Sequence, residues 1–317
     1  MPRPEQPDTT LQDIGIAMDA CMNRIAIIGA TGEVGFRLIR ALHASWRIVA
    51  IVRDPGKRDF SPYPGVELRQ VADIGDIDAL ALALNGCDAI VNTGYIWFAE
   101  PIHQAIMKSG ASIRHIVFTG STGIFTRLPS ASAERKREAE AFIQAQYRCA
   151  WTILRPTMIY GHKDDRNISR LIKAVARYPV MPLIGHGSSL IQPVLIHDLI
   201  RAFRTALLNP KYFNKSYNIG GGKAYSNREL IACVASCVGR RARLIALPPV
   251  LVHASVALLS MAGLSPVTRE QVDRFQENKH IDLSAFVTDF EFVPQDMEHG
   301  LPFLVRDLKE HGQLPPQ

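Results

Sequence analysis

The 317-residue chain lacks the features that mark several large classes of protein. It has no internal repeat and no low-complexity tract, and its cysteines lie in apolar contexts without metal-ligand spacing. An odd number of such cysteines is typical of reduced, buried thiols in a cytoplasmic protein. Because their spacing is not that of metal ligands, we expect no metal site. The five are Cys21, Cys87, Cys149, Cys233 and Cys237.

The start of the chain also lacks a secretory signal. Residues 1–22 contain several prolines and polar residues but neither a basic start nor a long apolar stretch, so we interpret them as a mobile tail, with Met22 as an alternative start. The almost uncharged segment 245–264 is barely long enough to span a bilayer and is interrupted by Pro248, Pro249 and His253. We therefore expect a buried helix or one side of a lipid-facing cleft there, no transmembrane segment, and at most a peripheral contact with a membrane.

The net charge of +6 is spread along the chain. The single tight basic cluster, 135–137, is interleaved with Glu134, Glu138 and Glu140. Alternating charges of this kind are typical of a solvated helix face, so we expect no nucleic-acid partner.

Apolar segments with strand character alternate with helical segments along the first half of the chain. At 47% hydrophobic residues, the chain can bury a large core. The alternation predicts an α/β fold with a doubly wound, parallel Rossmann sheet. Predicted strands are 25–28, 47–52, 66–71, 89–92, 113–119 and 151–154, and predicted helices are 36–42, 77–84, 101–108 and 132–146.

After Gly161 the pattern loosens into a smaller α+β part that we expect to bind substrate at the ends of the strands. We predict a helix over 168–178, a loop over 182–187, and a return to the sheet over 194–208 and 217–220. The predicted organisation is a tail (1–22), a dinucleotide-binding domain (23–160), a substrate-part insertion (161–193), a return to the Rossmann domain (194–222) and a C-terminal substrate-binding part (223–317).

A glycine-rich turn at 29–35 joins the first strand to the first helix. Glycines at 29, 32 and 35 allow the backbone to turn tightly and approach a pyrophosphate, which the helix N-terminus attracts. Glycines also end helices and fill turns, so the spacing alone leaves a purely structural role open.

Several further motifs share the spacing of one enzyme superfamily. Over about 23–304 the chain resembles the extended and atypical short-chain dehydrogenases/reductases, which include NAD-dependent epimerases and dehydratases. Within that group it is similar to the NAD(P)-binding accessory subunit of respiratory complex I and its bacterial relatives. The matching motifs are 29–35, Asp73-Ile74, Asn92-Thr93-Gly94, Ser121-Thr122, Lys136 with Glu140, 154–161, Gln192-Pro193-Val194, His197-Asp198-Leu199 and 268–272.

The resemblance implies a role for each matched residue. The loop would hold the pyrophosphate, while Asp73 and Ile74 would contact the adenine and Thr93 and Gly94 the ribose side. Pro156 and Thr157 would contact the nicotinamide, and Lys136 would hold the nicotinamide ribose. For Asp73 the structural alternative is an N-cap of the helix that follows. The loop residues implied are Gly29, Thr31, Gly32, Glu33, Val34 and Gly35.

Arg53 ends the second predicted strand, where a carboxylate favours NAD(H) and a guanidinium can bind a 2′-phosphate. Arg37 and Lys57 add positive charge, whereas Asp54 could still reach a ribose hydroxyl. We predict NADP(H), with NAD(H) as the alternative, and a solvent-facing arginine as the structural explanation.

The sequence departs from the resemblance at the catalytic tyrosine. Four residues before Lys136 stands Ser132, and the hydroxyl of serine lacks the acidity and reach of a phenol. Losing a positioned acid or base typically costs about 10²–10⁴-fold in rate. Ser121 would hydrogen-bond the reacting oxygen, and the proton carrier could be Lys136 itself if its pKa is lowered. Other candidates are Tyr95, Tyr160, His162 and Tyr225.

Two functions follow from these observations. The first is a cytoplasmic oxidoreductase or epimerase/dehydratase that acts on a carbonyl or hydroxyl centre of a sugar nucleotide or another bulky substrate. The second is a catalytically silent dinucleotide-binding protein with an assembly, structural or redox-sensing role. The apolar segment 248–264 suggests a pocket for a hydrophobic molecule, although core packing explains it equally well.

Overall fold

A computed structural model describes residues 23–165, 167–261 and 269–314 of the chain. Seven parallel strands form its central sheet, in the order β11-β6-β5-β4-β1-β2-β3. These strands are β1 (Arg24–Ile28), β2 (Arg47–Val52), β3 (Val66–Gln70), β4 (Ala89–Asn92), β5 (His115–Thr119), β6 (Ala150–Pro156) and β11 (Lys215–Ile219). The predicted tail and Cys21 lie outside the described residues.

Helices cover both faces of this sheet, as the doubly wound prediction requires. One apolar cluster lies between the sheet and the first and sixth helices, and the other lies beneath the second, third and fourth. The helices are α1 (Glu33–Leu42), α2 (Ile77–Leu84), α3 (Ala99–Ser109), α4 (Ala131–Gln146), α5 (Ile168–Arg177), α6 (Ile196–Ala206), α7 (Asn227–Val238), α8 (Pro249–Met261), α9 (Arg269–Gln276), α10 (Ser284–Phe290) and α11 (Met297–Glu310).

Apart from the polar edge strand β3, the predicted strands of the first half form because they are apolar runs that the two helix layers bury on both faces. The strand order reverses between β1 and β4, which places the 29–35 loop at the switch point of the sheet. Ligands of open α/β sheets bind in the crevice at such a point, at the carboxyl ends of the strands.

Three short two-stranded sheets build the smaller part. They pair β7 (Ile159–Tyr160) with β10 (Val194–Leu195), β9 (Leu190–Ile191) with β12 (Tyr225–Ser226), and β8 (Val180–Ile184) with β13 (Arg243–Leu247). A third apolar cluster joins α5, α7 and α11.

Two predictions of secondary structure in this region are wrong. The predicted loop 182–187 is strand up to Ile184, because Met181 and Leu183 alternate into the core and pair with a distant strand. The segment 194–208 does not rejoin the main sheet as strand. Its first two residues form β10, and the rest is α6, because its apolar residues repeat at helical spacing and are buried beside α1. Residues 215–219 do join the main sheet, as predicted.

The expectation of a buried helix over 245–264 is also wrong for the described residues. Strand β13 ends at Leu247, and at the start of α8 Val250 and Leu251 are 76% and 60% exposed. Val256 faces inward. No described helix is both long and apolar enough to cross a membrane. The end of the segment, 262–264, falls outside the described residues.

The described cysteines are free thiols, as expected. Cys87 is buried, and Cys149, Cys233 and Cys237 are partly buried. Burial raises the pKa of Cys87 to about 11, so this thiol stays protonated at neutral pH.

Candidate dinucleotide and active site

The glycine loop forms a cradle between β1 and α1 in which side chains do not fit. Gly29 has a φ of +80°, and a Cβ there would lie 2.9 Å from Thr93 Oγ1. A Cβ on Gly35 would lie 2.4 Å from the Gly29 carbonyl oxygen. Gly32 caps α1 without a side-chain hydrogen bond, which leaves the backbone N–H groups of the first turn available to an anion. The cradle therefore fits a pyrophosphate.

Glu33, in the first turn of α1, binds two arginines. Arg37 Nε donates to its carboxylate at 2.7 Å, and Arg58 Nη2 does so at 2.5 Å. Burial raises the pKa of Glu33, but the hydrogen bonds and charge of Arg37 and Arg58 outweigh it and hold the pKa below its usual value. Arg58 Nε also donates to the Thr31 carbonyl, so this arginine braces the loop. The sequence pattern pointed instead to its neighbour Lys57.

Arg53 and Asp54 follow β2 at the edge of the cradle. The Asp54 carboxylate accepts a hydrogen bond from the Gly56 amide at 3.0 Å and caps the turn over Pro55–Lys57. The exposed Arg53 guanidinium forms no hydrogen bond or ion pair with a described residue. At this edge the Asp54 carboxylate is hydrogen-bonded within its own turn, while the Arg53 guanidinium faces solvent.

The two turns predicted to contact adenine and ribose are held by their own side chains. Asp73 accepts from the Gly75 amide, and Asp76, not Asp73, is the N-cap of α2. The alternative role for Asp73 as that cap is therefore wrong. After β4, the buried Asn92 side chain accepts from the Gly94 amide and donates to the Tyr95 carbonyl. Ile74 packs on the cluster beneath α2.

Pro156 is the last residue of β6, and Thr157 follows it beside the short strands of the smaller part. The Thr157 hydroxyl donates to the Gln192 carbonyl, and the Thr157 amide donates to the Ile219 carbonyl. Buried Gln192 donates to the Gly221 carbonyl at 2.8 Å and accepts from the Ile281 amide at 3.1 Å. Gln192 therefore joins the predicted nicotinamide end to the C-terminal part.

Ser121 and Lys136, the two predicted catalytic residues, converge at Gly123. The Gly123 amide donates to Ser121 Oγ at 3.1 Å. A Cβ on Gly123 would lie 3.2 Å from Ser121 Oγ and 3.4 Å from Lys136 Nζ. Burial and the nearby charge of Arg274 lower the pKa of Lys136. The structure thus brings a hydroxyl and an ammonium group together beyond the carboxyl end of β5.

The resemblance to known proteins is supported by three kinds of comparison. Residues 29–175 match a family model described as NAD(P)H-binding. The chain is 23% identical to an Escherichia coli O157:H7 N-acetyl-alpha-D-glucosaminyl-diphospho-ditrans,octacis-undecaprenol 4-epimerase, over 71% of this chain and 76% of the epimerase. It is 24% identical to an Arabidopsis thaliana mitochondrial NADH dehydrogenase [ubiquinone] 1 alpha subcomplex subunit 9, over 70% of this chain and 60% of that subunit.

A solved structure extends the agreement to the whole fold. The UDP-glucuronic acid 4-epimerase from Bacillus cereus, in complex with UDP-glucuronic acid and NAD, superposes with a TM-score of 0.69. The match covers 91% of this chain and 99% of that chain at 17% identity. This chain has the NAD(P)-binding, epimerase-like short-chain dehydrogenase/reductase fold. The predicted fold class and superfamily resemblance are confirmed.

In this short-chain dehydrogenase/reductase fold, Ser132 takes the place of the expected tyrosine and is exposed on α4. The buried hydroxyl two residues before it belongs to Ser130, the N-cap of α4, which accepts a hydrogen bond from Arg274 Nη2 at 2.6 Å. Phe125, in the turn that precedes α4, is 48% exposed and offers no hydroxyl. No tyrosine therefore lies on the described helix before Lys136.

The other candidate proton carriers lie in different surroundings. The Tyr160 hydroxyl is packed against Gly300, where a Cβ would be 2.2 Å away, and burial raises its pKa. The Tyr225 hydroxyl donates to Glu298, and burial raises its pKa as well. Both therefore remain protonated phenols in the core of the smaller part.

His162 and Tyr95 are also distinct from the tyrosine position. Burial and the charge of Arg37 lower the pKa of His162, and the charge of Glu33 raises it. Both of these charged residues are on α1, so the His162 imidazole lies near the glycine loop. Tyr95 is 60% exposed and stacks on Trp97 with 4.3 Å between ring centroids. The Arg135 guanidinium lies over the same Trp97 ring and so is directed away from Ser121. Lys136 is the titratable group of α4 that lies beside Ser121.

The charged face of α4 is only partly solvated, which corrects one expectation. Glu140 is 5% exposed and accepts from Arg155 Nε at 2.9 Å and from its Nη2 at 2.5 Å. Glu134, Arg135, Arg137 and Glu138 are exposed, as expected. The buried pair fixes α4, and with it Lys136, against β6.

Proposed function

We propose that this chain is an NAD(P)(H)-dependent enzyme, an oxidoreductase or epimerase/dehydratase acting on a carbonyl or hydroxyl centre of a bulky substrate. The observation that carries the proposal is the convergence of Ser121 and Lys136 at Gly123. This pair lies beyond the carboxyl ends of the strands, on the same side of the sheet as the glycine cradle. Residues 161–193 and 223–317 would form the substrate-binding part.

Each of the two residues has a distinct task in this proposal. The bound nicotinamide supplies or accepts the hydride, and the protein supplies orientation and charge. Ser121 hydrogen-bonds the reacting oxygen. Lys136 holds the nicotinamide ribose and, with its pKa lowered, is a competent proton donor to the same oxygen. Ser132 takes no part because its hydroxyl lacks the acidity and reach of a phenol.

NADP(H) is the proposed cofactor. The exposed Arg53 guanidinium supports this choice, since a guanidinium can bind a 2′-phosphate in a bidentate manner. Asp54 is engaged by its own turn, which weakens the case for a carboxylate that holds ribose hydroxyls. Arg58 and Arg37 are paired with Glu33, so Arg53 would carry the preference.

The relatives support a sugar attached to a diphosphate as the reacting group. One relative is an epimerase in complex with UDP-glucuronic acid, and the other is a 4-epimerase of N-acetylglucosaminyl diphospho-undecaprenol. Both carry a sugar on a diphosphate, although one ends in a nucleoside and the other in a polyprenol.

A second candidate function is a dinucleotide-binding protein without turnover. The exposed Ser132 favours it, because the phenol that carries the proton in this fold is absent. The similarity to a respiratory-complex subunit supports an assembly, structural or redox-sensing role of this kind.

The two functions are separated by measuring binding and turnover on the same protein. NADPH and NADH are titrated by nucleotide fluorescence, and 4-epimerisation of UDP-N-acetylglucosamine and of farnesyl diphospho-N-acetylglucosamine is followed by chromatography. Conversion lost in Lys136→Met but kept in Arg135→Met supports the enzyme. Saturable binding with no conversion supports the silent protein, and no nucleotide binding contradicts both.

A further inference from the structure

A cavity of about 540 Å³ lies in the smaller part, between α5, α7, the β8–β13 pair and α8. Twelve of its seventeen lining side chains are apolar, and they come from elements that are far apart in sequence. They include Met158, Leu171, Met181, Ile191, Leu230 and Leu247. Such a lining suits a flexible hydrocarbon chain and offers few partners to a nucleobase.

The cavity also carries three cations and, among its described lining residues, no carboxylate. The cations are Arg170, Arg274 and Lys279. The two carboxylates nearest in sequence bind other groups. Asp273 lies 3.1 Å from His253 Nε2, and Glu277 accepts from the Thr126 hydroxyl at 2.8 Å and from the Arg127 amide at 2.9 Å, although its charge also acts on Lys279. An apolar site with a net positive charge is complementary to an anionic amphiphile.

Arg274, one of these cations, is held next to the proposed reaction centre. It donates to Ser130 at the start of α4, and its charge acts on Lys136, six residues further along that helix. The segment after α9 is fixed on the other side, since the Lys279 amide donates to the Leu190 carbonyl at 2.7 Å. Met158, which lines the cavity, directly follows the predicted nicotinamide-binding residue Thr157.

The cavity adjoins an exposed apolar surface at Leu247. Leu247 lines the cavity and is 36% exposed, and its neighbours Ile245, Val250 and Leu251 are between 50% and 76% exposed. An apolar chain can therefore enter the cavity beside β13 and α8.

We propose that the substrate is an anionic amphiphile whose hydrocarbon chain occupies this cavity while Arg274 and Lys279 hold its anionic group beside Lys136. The reacting end then lies toward Ser121. This inference rests on the proposed function only for the position of the reaction, because binding requires no turnover.

The test is isothermal titration of the full chain with dodecyl phosphate below its critical micelle concentration, compared with butyl phosphate and dodecanol. We expect one saturable site, with dodecyl phosphate bound at least about 100-fold more tightly than butyl phosphate because of the buried methylenes. The Lys279→Gln variant should lose about tenfold in affinity for dodecyl phosphate but not for dodecanol.

The control is Arg240→Gln, which removes an exposed cation outside the cavity and should leave both affinities unchanged. Equal affinities for butyl and dodecyl phosphate, or unsaturable binding, would overturn the proposal, as would equal losses in the two variants. NADPH binding by each variant is measured in parallel, so that failure of this site is distinguished from failure of the dinucleotide site or of folding.

Discussion

Arg274 on α9 donates a hydrogen bond to Ser130 at the N-terminus of α4, with Nη2 and Oγ 2.6 Å apart. This contact places a fixed positive charge near Lys136, whose pKa is lowered first by burial and then by that charge. The C-terminal part therefore tunes the ammonium group that the Rossmann part supplies.

Removing this charge should raise the pKa of Lys136. In Arg274→Gln we expect the alkaline limb of the rate profile to move to higher pH, because the ammonium no longer faces a like charge. The pH dependence of kcat/KM is the measurement, with Arg135→Gln as the control that removes a charge from α4 itself. An unmoved profile in Arg274→Gln, or an equal shift in the control, would rule out this coupling.

Gly35 should not tolerate even a methyl group. Its Cβ would lie 2.4 Å from a backbone oxygen of the loop, so Gly35→Ala must displace the loop or the helix. We expect NADPH affinity to fall at least about tenfold, together with a lower melting temperature. Gly65→Ala is the matched control, since a Cβ there meets nothing within 4 Å. Unchanged affinity in Gly35→Ala would show that the cradle does not hold the pyrophosphate.

Arg53 should determine the choice of cofactor. In Arg53→Gln the affinity for NADPH should fall about tenfold while that for NADH changes little, because only the former has a 2′-phosphate. Fluorescence titration of both nucleotides measures the ratio, and Lys57→Gln tests the neighbouring exposed cation. A parallel loss of both nucleotides would mean that Arg53 acts on the fold and not on the 2′ position.

His115 should make stability depend on pH. It is fully buried, accepts from the Leu208 amide at Nδ1, and its Nε2 lies 2.9 Å from the Thr152 hydroxyl, so both ring nitrogens are engaged in the neutral form. Burial lowers its pKa from 6.5 to about 4. Between pH 6.5 and about pH 4, the unfolded chain binds a proton at this histidine and the folded chain does not, so the free energy of unfolding falls as the pH falls.

The size of this effect follows from the same linkage. From pH 7 to pH 5, wild type should lose about 2 kcal/mol more than His115→Gln in urea denaturation, because only wild type carries the imidazole. The other titrating groups are common to both proteins and cancel in the comparison. Identical losses in the two proteins would mean that His115 is not held neutral by the fold.

Local patterns were sufficient to predict the parts of the fold that are continuous in sequence. The predicted bounds of α2 and β4 agree with the structure, because a capped apolar helix and a fully buried strand each depend on neighbouring residues. The paired strands β8 and β13 were missed in part because their partners are about sixty residues apart, and Pro182 resembles a loop residue.

The same limit applies to the candidate site. The glycine loop, Ser121 and Lys136 belong to motifs with a recognisable spacing in the sequence and were predicted. Arg58 and Arg274 were not predicted, because they act through contacts between segments that are distant in sequence. A basic residue in a turn gives no sign of which carboxylate it will meet. Only the packing of α9 against the start of α4 identifies Arg274 as a neighbour of Lys136.

The most direct test of the account is hydride-dependent conversion of a sugar diphosphate by wild type, Lys136→Met and Ser132→Tyr, each saturated with its preferred nucleotide. We predict conversion by wild type, a loss of at least about 100-fold in Lys136→Met with nucleotide still bound, and no requirement for the Ser132→Tyr change. Conversion that appears only in Ser132→Tyr would contradict the account and identify a site that binds a dinucleotide without using it.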